Sequence, residues 1–202
     1  MKIFLCAALA LASLTACGDT ATPGDERQVT VSLLTHDSFA ATESVLDDFA
    51  DRTGIKIEII PSGDAGELVN KSILTAGEPL GDVLFGIDNT FLSRALEADL
   101  FVSHESPALA SVPDEFELDS EHRVTPIDHG EVCINYDKTA YSSSSPPPSD
   151  LDDLVEPRYR DQFVVENPAT SSPGLAFLLA TIERFGEEGW ESYWRGLRAN
   201  GV

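Results

Sequence analysis

Three carboxylates in this chain recur at one kind of place. Asp37 follows the β-forming run 28–35, Asp64 follows the alternating run 55–60, and Asp88 follows the apolar run 82–87. His36 stands beside Asp37, and Asn89 beside Asp88. Carboxylates in such positions can pair with a cation or accept charge-assisted hydrogen bonds. A different polar group comes later, where Thr170, Ser171 and Ser172 precede Pro173 and Gly174. The run that follows carries Leu175, Phe177, Leu178, Leu179, Ile182 and Phe185, apolar over more than one helical face. Pro173 suits the first turn of that helix. Hydroxyls at its start can cap it, and its free N–H groups favour an anion or a polar ligand atom. Each feature also has a local reading. Asp64 and Glu67 make a D-x-x-E capping box, Asp88 can be an N-cap, Asp37 a turn residue, and Ser171 a cap alone.

The elements that must position these residues read β-α-β-α-β-α. Run 28–35 is a strand, and Val45, Leu46 and Phe49 mark one face of a helix that Gly54 ends. Run 55–60 is a second strand and 61–66 a turn. A helix to about Ala76 follows, with Leu68, Ile73 and Leu74 as buried candidates. Run 82–87 is a third strand, and Phe91, Leu92, Ala95 and Leu96 belong to another helix. This order predicts an α/β fold, a parallel sheet with helices on both faces. Ligands in such sheets sit at the C-terminal ends of the strands. Loops 36–39, 61–66 and 87–90 all reach that edge.

Region 124–136 is extended again, with a break at Asp128-His129-Gly130, where the chain could cross to a second domain. Run 131–136 has a strand pattern, which makes Cys133 a buried apolar residue. Run 142–149 is a low-complexity solvated loop. A short helix at 150–155, a short buried strand at 162–166 and the helix at 173–185 come next. A last helix holds Trp190, Tyr193, Trp194 and Leu197 at core spacing, so both tryptophans read as packing residues. This second unit has a strand and helices but not the sheet they should cover, which predicts a piece of a longer protein.

The 202 residues suffice for one good-sized domain or two small ones. With 35 acidic against 13 basic residues, the formal net charge is −22, the wrong sign for gripping nucleic acid. Residues 1–17 read as a targeting segment: Lys2, then a short apolar run to Leu14, too short to span a bilayer as a mature helix. Leu14-Thr15-Ala16-Cys17 resembles the lipobox of bacterial lipoprotein signal peptides, which implies cleavage before Cys17 and a lipid on its thiol. Residues 18–27 form a polar tether. Cys6 leaves with the signal and Cys17 carries the lipid, so Cys133 stands alone and no intrachain disulfide is available. His36, His104, His122 and His129 show no metal-ligand spacing.

Residues 28–202 resemble the N-terminal part of periplasmic thiamine-binding proteins, the substrate-binding subunits of ABC importers. The stretches that carry the resemblance are Thr35-His36-Asp37-Ser38-Phe39, Leu68-Val69-Asn70-Lys71, Asp82 to Asn89, Pro126-Ile127-Asp128-His129-Gly130 and Thr170 to Leu175. The resemblance implies a periplasmic-binding-protein-like fold of two α/β lobes closing on ligand. Residues 28–125 would form the first lobe, and 126–202 the crossover and a truncated second lobe. It also implies ligand contacts at Asp64 and Ser171. The family usually has tyrosine where His36 stands, and its other aromatic contacts fall beyond Val202. With the edge and helix-start positions, the candidate ligand set is Asp64, Ser171, Asp88, Asn89, Thr170, Ser172, His36 and Asp37. Thiamine suits it: a carboxylate for the thiazolium, a helix start for a hydroxyl or phosphate, aromatic faces for the rings. The expected protein is an extracytoplasmic, lipid-anchored binder, periplasmic or on the cell surface, that hands thiamine or a thiamine phosphate to an ABC permease without turnover or cofactor. One alternative is a ferric-ion-binding protein of the same superfamily, with a histidine near His36 and a carboxylate near Asp88. Another is a secreted hydrolase, for which Ser171 would need a base that only His129 could supply.

Overall fold

The computed structural model describes residues 29–202. The signal segment, Cys17 and the tether lie outside the described residues. Strands β1 (Val29–Thr35), β2 (Ile55–Pro61) and β3 (Val83–Phe85) form one parallel sheet in the order β2-β1-β3. β1 is central because its Val and Leu residues can pack on both sheet faces. Its register pairs Val29 with Ile55 through Thr35 with Pro61, and Leu33 with Val83 through Thr35 with Phe85. Helix α1 (Glu43–Thr53) connects β1 to β2 and ends at Gly54, whose N–H donates to the Ala50 carbonyl. Helix α2 (Ala65–Leu74) connects β2 to β3, and the short α3 (Leu92–Glu97) follows β3.

β3 is shorter than the run 82–87 because Asp82 leaves the ladder and uses its side chain instead. Its carboxylate accepts from Ser32 N–H at 2.8 Å, while its own N–H donates to the Ser32 carbonyl at 2.9 Å. The hydrogen bond from Ser32 N–H to the carboxylate holds the Asp82 carboxyl below its usual pKa. The first core gathers Ala65, Val69, Phe91 and Ala95, with Ile73, Ile87, Leu100, Phe101 and Leu175 packed around them. Leu68 is fully buried as expected, but Leu74 is 85% exposed. At the last residue of α2 it has turned off the face that Leu68 and Val69 bury.

Beyond Phe101 the backbone is irregular, with 3-10 turns at Pro107–Ser111 and Asp114–Phe116. Asp119 ties this segment down. It is buried and grips Arg123 through both carboxylate oxygens, at 2.8 and 3.0 Å. The Arg123 guanidinium draws the Asp119 pKa down to about 2.

Two expected strands do not form. Region 131–136 forms no strand and exposes Val132, Ile134 and Tyr136. Cys133 is therefore exposed, not buried. Region 162–166 is also unpaired. Phe163 and Val165 reach the second core, whereas Val164 is 87% exposed. Both runs have strand composition, but no third segment among the described residues supplies a ladder for them.

The expected last two helices are present and follow one another across a kink at Gly186, whose φ/ψ is not helical; together they span α4 (Ser172–Ala199). The second core packs Leu154, Phe177, Tyr193 and Leu197 with Phe163, Phe185 and Trp194 around them. Trp194 packs as expected, edge-on to Phe177, and its indole N–H donates to Thr181 Oγ1 at 2.9 Å. Asn200 closes the element by donating to the carbonyls of Leu154 and Glu156. The expected short helix at 150–155 is the 3-10 turn Asp152–Val155. Among the described residues no helix is long and apolar enough to cross a membrane.

Candidate functional site

The three strands are parallel, so their C-terminal ends lie on one edge. His36 and Asp37 leave β1 there, Asp64 follows β2, and Asp88 and Asn89 follow β3. Two of the loops are bonded to each other. Asp37 N–H donates to the Gly63 carbonyl and Gly63 N–H donates to Asp37 Oδ1, both at 2.9 Å. Ser62 N–H continues the link to the Thr35 carbonyl at 2.9 Å. Asp37 thus spends one carboxylate oxygen on holding the edge together.

Asp64 caps α2, accepting from Ala65 N–H at 2.8 Å. The reciprocal arm of a capping box, from Glu67 to the Asp64 N–H, is not formed; Glu67 lies over Gly63 instead. The Asp64 side chain is exposed, with its second oxygen free of any bond among the described residues. Its charge sits where a helix start favours an anion. Lys71, one of the few cations nearby, sends Nζ to the Ser62 carbonyl at 3.3 Å. Asp88 makes an Asx turn, with Oδ1 accepting from Thr90 N–H at 3.0 Å, Thr90 Oγ1 at 2.6 Å and Phe91 N–H at 3.3 Å. Asn89 is exposed beside it.

His36 is half-buried and stacks on Phe85, with centroids 5.9 Å apart and planes 27° apart. Phe39 meets Phe85 edge-on at 5.2 Å. Gly86 makes this possible: its φ is 114°, and a Cβ there would enter the His36 ring. Phe39 and Phe85 were not among the candidate residues. Each stands in the sequence as an aromatic residue at the end of a strand or in the loop beyond it, but their meeting with His36 depends on the β1–β3 pairing.

Ser171 is the N-cap of α4 and is only 2% exposed. Its Oγ accepts from Gly174 N–H at 3.3 Å and donates to the Glu166 carboxylate. A hydroxyl has one donor and two lone pairs, so these two bonds leave one lone pair unused. Thr170 and Ser172 are half-buried on either side. This segment does not stand apart from the sheet edge: Gly66 N–H, in the first turn of α2, donates to the Thr170 carbonyl at 2.8 Å. The Asp64 loop and the Thr170–Ser172 segment are thereby brought together. His129 stacks on Phe116, 4.6 Å between centroids, and the hydroxyl of Ser171 is bonded to Glu166 and not to a histidine. Among the described residues no three His, Cys, Asp or Glu side chains stand close enough to hold a metal ion.

Residues 78–202, more than half of the chain, match the family described as bacterial extracellular solute-binding protein. The chain is 28% identical over 177 residues to the thiamine-binding periplasmic protein of Salmonella typhimurium, covering 85% of this chain and 52% of that one. It is 28% identical over 163 residues to the thiamine-binding periplasmic protein of Escherichia coli, covering 78% and 48%. The chain thus spans about half the length of the curated relatives it matches. Among solved structures, a periplasmic thiamin binding protein superposes with a TM-score of 0.65 at 24% identity, covering 86% of this chain and 54% of that one. Iron-bound HitA from Pseudomonas aeruginosa does so at 0.65 and 26% identity, covering 85% and 54%. These likenesses establish the periplasmic-binding-protein fold, with its parallel α/β sheet. With more than half of its residues matched by the family model, the chain belongs to the bacterial extracellular solute-binding proteins, a family that binds its solute and does not convert it.

Proposed function

We propose that these residues are the ligand-capturing part of an extracytoplasmic lipoprotein that binds thiamine, or a thiamine phosphate, for an ABC importer. The observation that carries this reading is the exposed Asp64 carboxylate at the same sheet edge that carries the rings of His36, Phe39 and Phe85. A permanently cationic ring needs that pairing of charge and π-face. The relatives named for thiamine binding support the same solute. Ser171, with one lone pair open, suits the hydroxyethyl arm or the aminopyrimidine as acceptor. The first lobe is 28–125, and 126–202 begins the second. Residues 1–17 are the lipoprotein signal, 18–27 the tether, and Cys17 the anchor. Cys17→Ser moves the protein from the membrane to the soluble fraction; unchanged membrane association would place the anchor elsewhere.

One observation favours a second reading. His36 and Asp88 lie on the same sheet edge, and HitA was solved with iron bound. Thermal shift with thiamine, thiamine monophosphate and ferric citrate separates the two. A Tm raised by thiamine compounds alone supports the thiamine reading, and a Tm raised by ferric citrate alone supports iron.

A further inference from the structure

The segment 167–171 touches the first turn of α2 at Gly66. Gly66 is buried, and its N–H is one of those a helix start leaves without an internal partner. It is satisfied by the Thr170 carbonyl at 2.8 Å. A Cβ on Gly66 would lie 2.8 Å from the Ala169 carbonyl oxygen, 2.9 Å from Phe91 Cζ and 2.9 Å from Thr170 Cα. Two of those atoms are backbone, so no side-chain rotation relieves the clash. The segment it meets is itself held firmly. Thr170 N–H and Ser171 N–H both donate to the Asn167 carbonyl, and Ala169 N–H donates to Asn167 Oδ1. Behind it, Leu175 of α4 packs into the core of Ala65, Val69, Phe91 and Ala95. Asp64 is two residues before Gly66, and Ser171 is one residue after Thr170. The Gly66–Thr170 backbone contact, backed by Leu175, therefore lies directly between the two loops.

Building on the ligand reading above, we propose that Gly66 is a positioning residue for solute capture. Its bare Cα and its N–H hold the Asp64 loop against the Thr170–Ser172 segment, so that both sides engage one ligand. Gly66 itself touches no ligand, because its N–H is spent on Thr170.

The test compares Gly66→Ala with Gly77→Ala, a position where a Cβ meets nothing within 4 Å. Overpacking at Gly66 weakens thiamine binding by about tenfold or more, through faster dissociation, while Gly77→Ala leaves it unchanged. In the native background the effects of Asp64→Ser and Ser171→Ala on affinity are coupled; with Gly66→Ala they become additive, which a merely structural role would not produce. Should Gly66→Ala fail to fold, amide exchange on the unmodified protein decides: the Gly66 amide is protected and the Gly77 amide is not. That measurement needs no ligand, so a protein indifferent to thiamine defeats the ligand reading while the contact is still judged on its own. Native affinity and dissociation rate in Gly66→Ala, or a Gly66 amide that exchanges as fast as that of Gly77, would overturn the proposal.

Discussion

Asp37, Asp64 and Asp88 each commit one carboxylate oxygen to a loop, cap or turn bond and leave the other unbonded among the described residues. Ser171 is the clearest case of double duty, because its hydroxyl caps α4 and also bonds Glu166. Ser171→Ala should cost about 1 kcal/mol of stability as a lost cap. Chemical denaturation measures this, and a midpoint unmoved from native would show that the cap is idle. Its separate cost in affinity is that of one hydrogen bond, roughly 0.5–1.5 kcal/mol. Asp119 gives a second test, in acid. Its folded pKa, near 2, lies below the unfolded value, so the Arg123 contact stabilises the fold above the ordinary carboxylate pKa. That stability is lost as pH falls through the folded value. Asp119→Asn should be less stable than native at neutral pH, with the difference shrinking as the pH falls toward 2. A constant difference across that range would mean the carboxylate charge contributes nothing.

At the scale of elements, the sheet was legible and the extended segments were not. Alternation in Ile55-Lys56-Ile57-Glu58-Ile59-Ile60 fixes β2 because a neighbouring strand and a half-buried face are both present. Region 131–136 has similar composition, yet Val132 and Ile134 are exposed, since strand pattern says nothing about whether a partner strand exists. For the same reason Cys133 was expected inside and stands outside. The edge carboxylates could be found from the sequence because each follows a strand. The stack of His36, Phe39 and Phe85 could not, since it depends on the β1–β3 pairing that sets Thr35 opposite Phe85. In α4, aromatic spacing did identify the core: Tyr193 and Leu197 are buried, and Tyr193 donates to the Leu151 carbonyl at 2.7 Å. Leu197→Ala removes a fully buried side chain and should cost about 2–5 kcal/mol in urea unfolding. A cost below about 1 kcal/mol would mean that the second core collapses around the gap without loss.

Across the whole molecule, the described residues carry two small cores joined by α4, whose Leu175 belongs to the first and whose Phe177 and Leu197 belong to the second. Ile127, Val132, Ile134, Tyr136 and Val164 are exposed. An apolar surface of this kind is normally covered or avoided. Residues 29–202 expressed alone should therefore bind an apolar dye and self-associate, with the Cys133 thiol open to a maleimide. A protein extended to the length of its relatives should bind less dye and protect Cys133. Equal labelling and equal dye binding in both would show that the added chain lies elsewhere.

On the proposed reading, charge, aromatic rings and a helix start at one edge favour a ligand that is a cation with ring faces. Asp64→Ser keeps an oxygen for the α2 cap and removes only the charge. Calorimetric titration of the native protein and of Asp64→Ser with thiamine measures that charge directly. We predict saturable binding of one thiamine by the native protein, without turnover, and a loss of roughly 1.5–3 kcal/mol in Asp64→Ser. Native affinity in Asp64→Ser, or binding of ferric citrate in place of thiamine, would contradict it.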